Sequence, residues 1–358
     1  MKLLPKPDSA SPFRRPTLKD VAREAGYHIT TISLALRGHP SIPEGTRQLI
    51  KGVADRLGYQ RNPVFHALSR FREQGCVRGP APRIAYLENF GAGSGRGRPR
   101  HLQAMLDGAM RQAELLGYQL EPLAVGEDDH DTRSLTRHLR EKGITGIVLG
   151  SFLPGFAEIA LNWDDYAVAK IHSRHTEPEA TVVGNDHIRE VRLAFSRLTA
   201  LGYKRIGLAV GRADEDACGH RHTAGYLMEE ASIPPDRHVP PLLFPYNIDR
   251  ESVAGMIARW VLRHQVDVVL CNWLSVREML ESQSLRVPHD VACACLCLCG
   301  PNRPELAGIR PYLHLLGERA ISIVVAQLKT TERGAPEYAS SIYVQSVWQD
   351  GKSAPPRG

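Results

Sequence analysis

The chain has 358 residues, of which 42% are hydrophobic and 23% are charged. This length and composition predict a globular protein of two or three domains with a sizeable core. They exclude a helical membrane protein, because no apolar run approaches the roughly 18 residues that a span requires. The N-terminus lacks the apolar core of a signal peptide, so we expect a cytoplasmic protein.

Positive charge is concentrated at the N-terminal end. Residues 1–80 contain fourteen Lys and Arg and six Asp and Glu, a net charge of +8 against +6 for the whole chain. Such a region is typical of a surface that binds a polyanion, although a solvated basic surface has the same composition. The seven cysteines are odd in number, and we expect a reducing compartment, so no disulfide framework is predicted.

The first predicted elements form a compact helical unit. Residues 1–16 are rich in Pro and Ser, which predicts a disordered basic arm. The spacing of apolar residues indicates a first helix after Thr17, a second over 29–36 and a third that ends at Gly58. Two short helices with a glycine-bearing turn, closed by a third helix, predict a helix-turn-helix domain over 17–62.

A hinge helix and linker are predicted over 63–82, where Pro63 suits a helix start but the segment is too short to be stable alone. Strands and helices then alternate over 83–350. This alternation predicts parallel α/β layers, and the length fits two lobes. The stretch 290–298 reads as one strand, and 351–358 as a loose tail.

Several stretches resemble the LacI/GalR family of transcriptional regulators. Residues 17–68 carry TLKDVAREAG…TTISLALRGHPSIPEGTRQLI…LGYQRNPVFHAL, and weaker likenesses occupy 185–211, 285–298 and 308–320. The resemblance implies an all-α helix-turn-helix head on a two-lobed α/β body with parallel sheets, like the periplasmic binding proteins. It also implies a homodimer that binds a palindromic operator in double-stranded DNA. A small-molecule effector, such as a sugar, would lie between the lobes.

In the head, the resemblance places the second helix in the DNA major groove. Its base-reading positions hold Ile29, Thr30 and Leu34, although family members usually carry polar residues at several of them. Because Ile and Leu can only pack on thymine methyl groups, the hypothesis is a thymine-dependent readout. The competing interpretation is that Ile29 and Leu34 face the core, for which Ile32 and Leu36 are better placed. The predicted DNA-contacting residues of the head are His28, Ile29, Thr30, Thr31, Ser33, Leu34, Arg37, His39 and Arg61.

The hinge residue Leu68 is predicted to contact DNA as a wedge. In the family, a leucine from each hinge helix of a dimer enters the minor groove and unstacks a base step. A marginal helix suits this role, because movement of the lobes could order or melt it and change the affinity for the operator. The alternative is that Leu68 only packs within the linker.

In the body, the family's ligand positions fall at strand ends and facing loops. Asp186 is the favoured candidate, because a carboxylate can accept hydrogen bonds from two sugar hydroxyls. His222 stands where sugar-binding members usually carry Arg, and Trp273 replaces a common Asp, so a different effector, or none, stays open. For His222 and Asn272, ordinary loop polarity is an equally good interpretation. The predicted effector-binding residues are Asn89, Asp186, His222, Asn272 and Cys297.

Four alternating cysteines, Cys293, Cys295, Cys297 and Cys299, are predicted to share one face of the strand over 290–298. One straight strand cannot surround a metal ion with ligands, so the favoured interpretation is a row of buried apolar thiols and no metal site is predicted. A thiol-sensing regulator is the minor alternative. No catalytic constellation or cofactor motif is found, which leaves a sugar-processing enzyme on an α/β scaffold as the other alternative function.

Overall fold

The computed structural model divides the chain into two units, Met1–Pro80 and Ala81–Gly358. None of the described helices is long and apolar enough to cross a membrane. The residues that the structure describes are 18–36, 42–57, 81–89, 98–125, 132–150, 152, 159–174, 176–300 and 304–357.

The described part of the first unit consists of three helices, α1 (Leu18–Ala25), α2 (Ile29–Leu36) and α3 (Glu44–Arg56). Gly26 ends α1 at a φ of +70°, a left-handed conformation that glycine adopts without strain. The predicted helix-turn-helix architecture is therefore confirmed. The core between the helices is formed by Val21, Ile32, Ala35, Ile50, Val53 and Ala54.

The first lobe of the body is built on a six-stranded parallel sheet. Its strands are β1 (Arg83–Glu88), β2 (Gln119–Ala124), β3 (Gly146–Leu149), β4 (Ala167–Ile171), β5 (Thr181–Asn185) and β11 (Ser341–Val344). They lie in the order β11-β5-β4-β3-β1-β2. Its helices are α4 (Arg100–Leu115), α5 (Thr132–Glu141), α11 (Leu313–Thr330) and a 3₁₀ turn at Trp163–Asp165.

The second lobe is built on another six-stranded sheet. Its strands are β6 (Ile206–Gly211), β7 (Leu242–Phe244), β8 (Val268–Cys271), β9 (Ala292–Cys295), β10 (Ala307–Arg310) and β12 (Val347–Gln349). They lie in the order β12-β10-β9-β8-β6-β7, and only the β10–β12 pair is antiparallel. Its helices are α6 (His187–Ala200), α7 (Arg212–Cys218), α8 (Arg221–Glu230), α9 (Arg250–His264), α10 (Val276–Ser282) and a 3₁₀ turn at Pro235–Arg237.

The chain passes between the lobes three times, from β5 to α6, from β10 to α11 and from β11 to β12. The central strands β3, β4, β8 and β9 are buried along their whole length. Such continuous apolar strands are typical of parallel sheets that are covered on both faces. The predicted two-lobed α/β body is confirmed.

The cysteine row departs from the prediction. Strand β9 ends at Cys295 and the chain bends at Leu296, so the four cysteines do not share one strand face. Cys293 and Cys295 are buried in the core of the second lobe, whereas Cys297 and Cys299 turn into a cavity between the lobes. The bend begins where Cys295 meets Gly308, at which an added Cβ would lie 2.0 Å from the Cys295 carbonyl oxygen.

Helices α7 and α8 are separated by a turn at which Gly219 and His220 adopt positive φ angles of 68° and 56°. One further expectation was wrong. The tail predicted to be loose packs on the second lobe. The Ser353 hydroxyl accepts a hydrogen bond from the Ala307 N–H at 2.9 Å and donates one to the Cys293 carbonyl at 2.6 Å.

Helices α4 and α11 are in direct backbone contact at two glycines. A Cβ on Gly108 would lie 2.0 Å from the His314 carbonyl oxygen, and one on Gly317 would lie 2.0 Å from the Met105 carbonyl oxygen. Both distances are far shorter than a van der Waals contact, so a side chain at either position would force the helices apart. The packing of the first lobe therefore depends on these glycines.

We expect Gly317→Ala to lower the free energy of unfolding of the body by about 1–3 kcal/mol or more, because the added methyl group would overpack the interface between the two helices. The measurement is urea unfolding of the full chain. Gly255→Ala in α9 is the matched control, since its Cβ would meet nothing nearer than Arg259 Nη1 at 3.4 Å. That variant should stay within about 1 kcal/mol of the parent. Equal unfolding midpoints for the two variants would contradict the proposed contact.

Candidate functional site

A cavity of about 500 Å³ lies between the two lobes, a volume in the range of small-ligand pockets. Both lobes and the β5–α6 crossover contribute to its walls. Apolar surface comes from residues such as Phe152, Trp273 and Leu313. The polar and thiol groups that line this cleft are His101, His172, Ser173, Asn185, His187, Glu190, Asp214, Cys218, His222, Asn272, Ser275, Cys297 and Cys299.

The structure brings together three of the five predicted effector-binding residues, His222, Asn272 and Cys297, on the cleft wall. Asn89 follows β1 and is not among the lining residues. Asp186 also lies outside the lining. Its carboxylate caps α6 by accepting a hydrogen bond from the Arg189 N–H at 3.3 Å. This carboxylate is therefore engaged by the helix end rather than directed at the cleft.

Asp214 is a cleft carboxylate that the sequence prediction missed. Its Oδ2 atom accepts hydrogen bonds from Asn272 Nδ2 at 2.7 Å and from Trp273 Nε1 at 3.0 Å, which fix its orientation. The Asn272 Oδ1 atom is buried and has no hydrogen-bond partner among the described residues. The signal that could have found Asp214 is its place just after the carboxyl end of β6, where open α/β sheets bind ligands.

A polar network ties two of the three crossovers together. Asn185 Nδ2 donates to the Val344 carbonyl at 3.3 Å and to the Ser346 hydroxyl at 3.2 Å. The Ser346 hydroxyl donates to Glu190, and His187 Nδ1 lies 2.7 Å from the other carboxylate oxygen of Glu190. Burial raises the pKa of Glu190, but the hydrogen bonds from His187 and Ser346 and the positive charge nearby lower it overall. We call Asn185, His187, Glu190 and Ser346 the hinge network.

Three imidazoles lie in a row from one lobe to the other, the first pair stacked and the second pair tilted by 38°. The ring centroids of His172 and His187 are 5.4 Å apart, and those of His187 and His222 are 4.5 Å apart. Burial lowers the pKa of His172 to about 3, and burial followed by the charge of His222 lowers the pKa of His187. Burial also opposes a charge on His222, but hydrogen bonds with Cys218 and Glu215 raise its pKa to about 10. At neutral pH only His222 carries a charge in this row.

His222 belongs to a second cluster, with Glu215 and Cys218. Its Nδ1 atom lies 2.7 Å from Glu215 Oε1 and 3.4 Å from Cys218 Sγ. Because both neighbours contact the same ring nitrogen, the imidazole cannot pass a proton from the thiol to the carboxylate as a catalytic triad does. The signal that the sequence prediction missed is the spacing Glu-x-x-Cys-x-x-x-His across α7 and α8.

Cys271, Cys293 and Cys297 do not have the properties of reactive thiols. Burial raises the pKa values of Cys271 and Cys293 to about 12. The pKa of Cys297 is also raised, by a hydrogen bond with Cys299 and by burial. Reactive cysteines need a lowered pKa because the thiolate is the nucleophile. The thiol-sensing alternative is therefore disfavoured.

In the head, the described residues separate core positions from outward positions on α2. Ile32 is fully buried and Leu36 packs against the core, as the sequence predicted. Leu34 and Thr31 are half-buried, and neither belongs to the core cluster, while His28 is exposed. The remaining predicted contacts lie outside the described residues or side chains: Ile29, Thr30, Ser33, Arg37, His39, Arg61 and Leu68.

Comparisons with known proteins agree with this geometry. Residues 17–62 match the family model of bacterial regulatory proteins, lacI family. An uncharacterized HTH-type transcriptional regulator in the aml 5′ region of Streptomyces limosus is 28% identical over 355 residues, covering 91% of each chain. The transcriptional regulator CelR in complex with cellobiose superposes with a TM-score of 0.59 at 19% identity, covering 95% of this chain and 100% of that one. The lac repressor dimer bound to operator and the anti-inducer ONPF superposes with a TM-score of 0.55 at 14% identity, covering 96% of this chain and 100% of that one.

A helix-turn-helix head joined to a two-lobed, periplasmic-binding-protein-like body defines a class of DNA-binding transcriptional regulators. The head matches the lacI family of bacterial regulatory proteins, and the body has the fold of the solved regulators named above. The relatives named above are transcriptional regulators, which disfavours the alternative of a sugar-processing enzyme.

Replacing Ser346 tests the hinge network. We expect Ser346→Ala to lower the free energy of unfolding by about 1–3 kcal/mol, because Asn185 and Glu190 both lose a hydrogen bond while they stay buried. Thermal and urea unfolding of the full chain measure this change. The control is Ser340→Ala, at an exposed position near the start of β11, which should stay within about 0.5 kcal/mol of the parent. A Ser346→Ala variant as stable as the control would show that the network does not hold the crossovers.

Proposed function

We propose that this chain is a homodimeric repressor whose affinity for a palindromic operator is set by a sugar or sugar-like effector bound in the cleft. The observation that carries the proposal is the place of the hinge network. Asn185, His187 and Glu190 line the cleft and also lie at the crossovers about which the lobes must move. A ligand in the cleft therefore contacts the groups that set the angle between the lobes.

The physical basis of control is a difference in affinity between two arrangements of the lobes. An effector shifts the population only to the extent that it binds one arrangement more tightly than the other. Here the walls come from both lobes, for example His101 and His172 on one side and Asp214 and Asn272 on the other. A ligand that hydrogen-bonds to both sides gains contacts when the lobes close, so closure is the arrangement we expect it to favour.

The chemistry of the cleft favours a polyhydroxylated ligand. The fixed Asp214 carboxylate and the unpartnered Asn272 Oδ1 are acceptors for hydroxyl groups. Trp273 and Phe152 supply aromatic and apolar surface for the carbon face of a sugar ring. The cellobiose complex of CelR, a protein of the same fold, supports this choice. We assign Asp214, His222, Asn272 and Trp273 to the effector site.

The head supplies the DNA contacts in this proposal. The net charge of +8 over residues 1–80 suits a phosphate backbone. On α2, Leu34 is half-buried outside the core cluster, which supports its assignment to thymine methyl groups in the major groove. Leu68 is assigned as the minor-groove wedge from the family resemblance, so that paired hinge helices of a dimer bend the operator.

A screen of mono- and disaccharides by thermal shift of the full chain tests the effector site. We expect at least one sugar to raise the melting temperature, and Asn272→Ala to weaken its binding about threefold to tenfold, the value of a hydrogen bond of about 0.5–1.5 kcal/mol. Asn162→Ala, at an exposed position of the first lobe, is the matched control and should bind the sugar as the parent does. No response to any sugar, or equal losses in the two variants, would rule out the assignment.

Replacing thymine by uracil in the operator half-sites tests the readout by Leu34. Removing the contacted methyl group should weaken binding by about 1 kcal/mol, close to the value of one buried methylene. In Leu34→Ala the same replacement should have almost no further effect, so the two changes form a double-mutant cycle. Leu49→Ala, at a leucine of α3 that is 51% exposed, is the control and should keep the full uracil effect. An operator that binds equally well with uracil at every position would contradict the readout.

A further inference from the structure

Three side chains with metal-binding atoms converge at the boundary of α7 and α8. Glu215 and Cys218 lie on α7 and His222 on α8, and their nearest ligand atoms all lie within 4.8 Å of one another. The turn at Gly219 and His220 produces this convergence, because it folds the start of α8 back against α7. Glu215 is fully buried and His222 is 6% exposed, so the carboxylate and the imidazole are held away from bulk water.

The distances between these atoms are close to those around a tetrahedral zinc ion. Zn–S and Zn–N bonds of about 2.3 and 2.0–2.1 Å at tetrahedral angles place sulfur about 3.6 Å from nitrogen or oxygen. Cys218 Sγ lies 3.4 Å from His222 Nδ1 and 3.5 Å from Glu215 Oε1. The third edge, between His222 Nδ1 and Glu215 Oε1, is 2.7 Å. This third edge would need to lengthen by about 0.7 Å when an ion binds.

The donor set indicates which ion would bind. A thiolate, an imidazole and a carboxylate together select zinc-like transition metals over Mg²⁺ or Ca²⁺, which prefer oxygen ligands. A thiolate and a carboxylate also balance the two positive charges of such an ion, so no net charge is buried. The second carboxylate oxygen of Glu215 accepts the Thr223 N–H at 3.0 Å, which orients the group as outer-shell hydrogen bonds do at metal sites.

We propose that Glu215, Cys218 and His222 form a binding site for a divalent transition-metal ion of the zinc class. Cys218 and His222 also line the cleft, so the fourth position of the ion faces the cleft and is open to water or to a donor atom of an effector. On binding, the Cys218 thiol and the charged His222 imidazole each release one proton to solvent, and metal–sulfur and metal–nitrogen bonds form in place of the S–H and Nδ1–H bonds. This inference does not depend on the sugar or operator assignments, because the site is defined by this chain alone.

Metal binding by the full-length protein tests the proposal. The purified chain is stripped with a chelator and then dialysed against Zn²⁺, and we expect about one ion per chain by elemental analysis. Co²⁺ serves as the optical probe, because a thiolate ligand gives a charge-transfer absorption in the near ultraviolet and a tetrahedral site gives intense visible bands. Both signals should be present in the parent and should disappear when Zn²⁺ displaces Co²⁺.

Two variants and a control locate the site. Cys218→Ser should remove the charge-transfer absorption and weaken Zn²⁺ binding at least tenfold, and His222→Gln should weaken binding to a similar extent while keeping a polar group at the position. Cys299→Ser removes a cleft thiol outside the cluster and should leave both signals unchanged. Circular dichroism checks that each variant is folded. If Cys218→Ser does not fold, the result for His222→Gln tests the proposal. A parent that retains no stoichiometric ion, or loss of binding in Cys299→Ser but not in Cys218→Ser, would overturn the proposal.

Discussion

The hydrogen bonds among Asn185, Ser346 and Glu190 are the interaction on which the geometry of the body depends. They join the crossover that leaves β5 to the crossover that leaves β11, so the two lobes are connected by paired segments rather than by independent linkers. Their buried polar groups are costly unless each finds its partner. This requirement favours a small number of discrete lobe arrangements over a continuum, as a bistable regulator needs.

The imidazoles of His172, His187 and His222 continue this network into the cleft. His187 shares Glu190 with the hinge and contacts both His172 of the first lobe and His222 of the second. Burial, and then the charge of the neighbouring ring, lowers the pKa values of His172 and His187, whereas hydrogen bonds with Cys218 and Glu215 raise the pKa of His222 despite its burial. His222 contacts His187 of the hinge network, so any ligand that changes the charge or position of His222 also affects that network.

Much of the fold could be predicted from the sequence, because it depends on local patterns. The three head helices follow from apolar spacing and from Gly26, and the body follows from alternating strands and helices. The errors arise where tertiary contacts override a local pattern. The alternating cysteines suggest a long strand, but β9 ends at Cys295 beside Gly308. The Pro- and Gly-containing tail suggests a loose end, but Ser353 binds it to two strands of the second lobe and the Arg357 N–H donates to the Leu201 carbonyl.

The site was harder to predict than the fold, because position along the chain does not determine where a side chain points. Asp186 stands at a ligand position of the family, yet it caps α6, which is the usual role of an aspartate before a helix. Asp214 and Glu215 are neighbours on α7, yet the first faces the cleft and the second is buried against His222. Adjacent helical residues point about 100° apart, so one carboxylate can serve the cleft while the other serves the Cys218–His222 cluster. The functional groups of the second lobe are thus set by how α7 meets α8, a contact that no single stretch of sequence encodes.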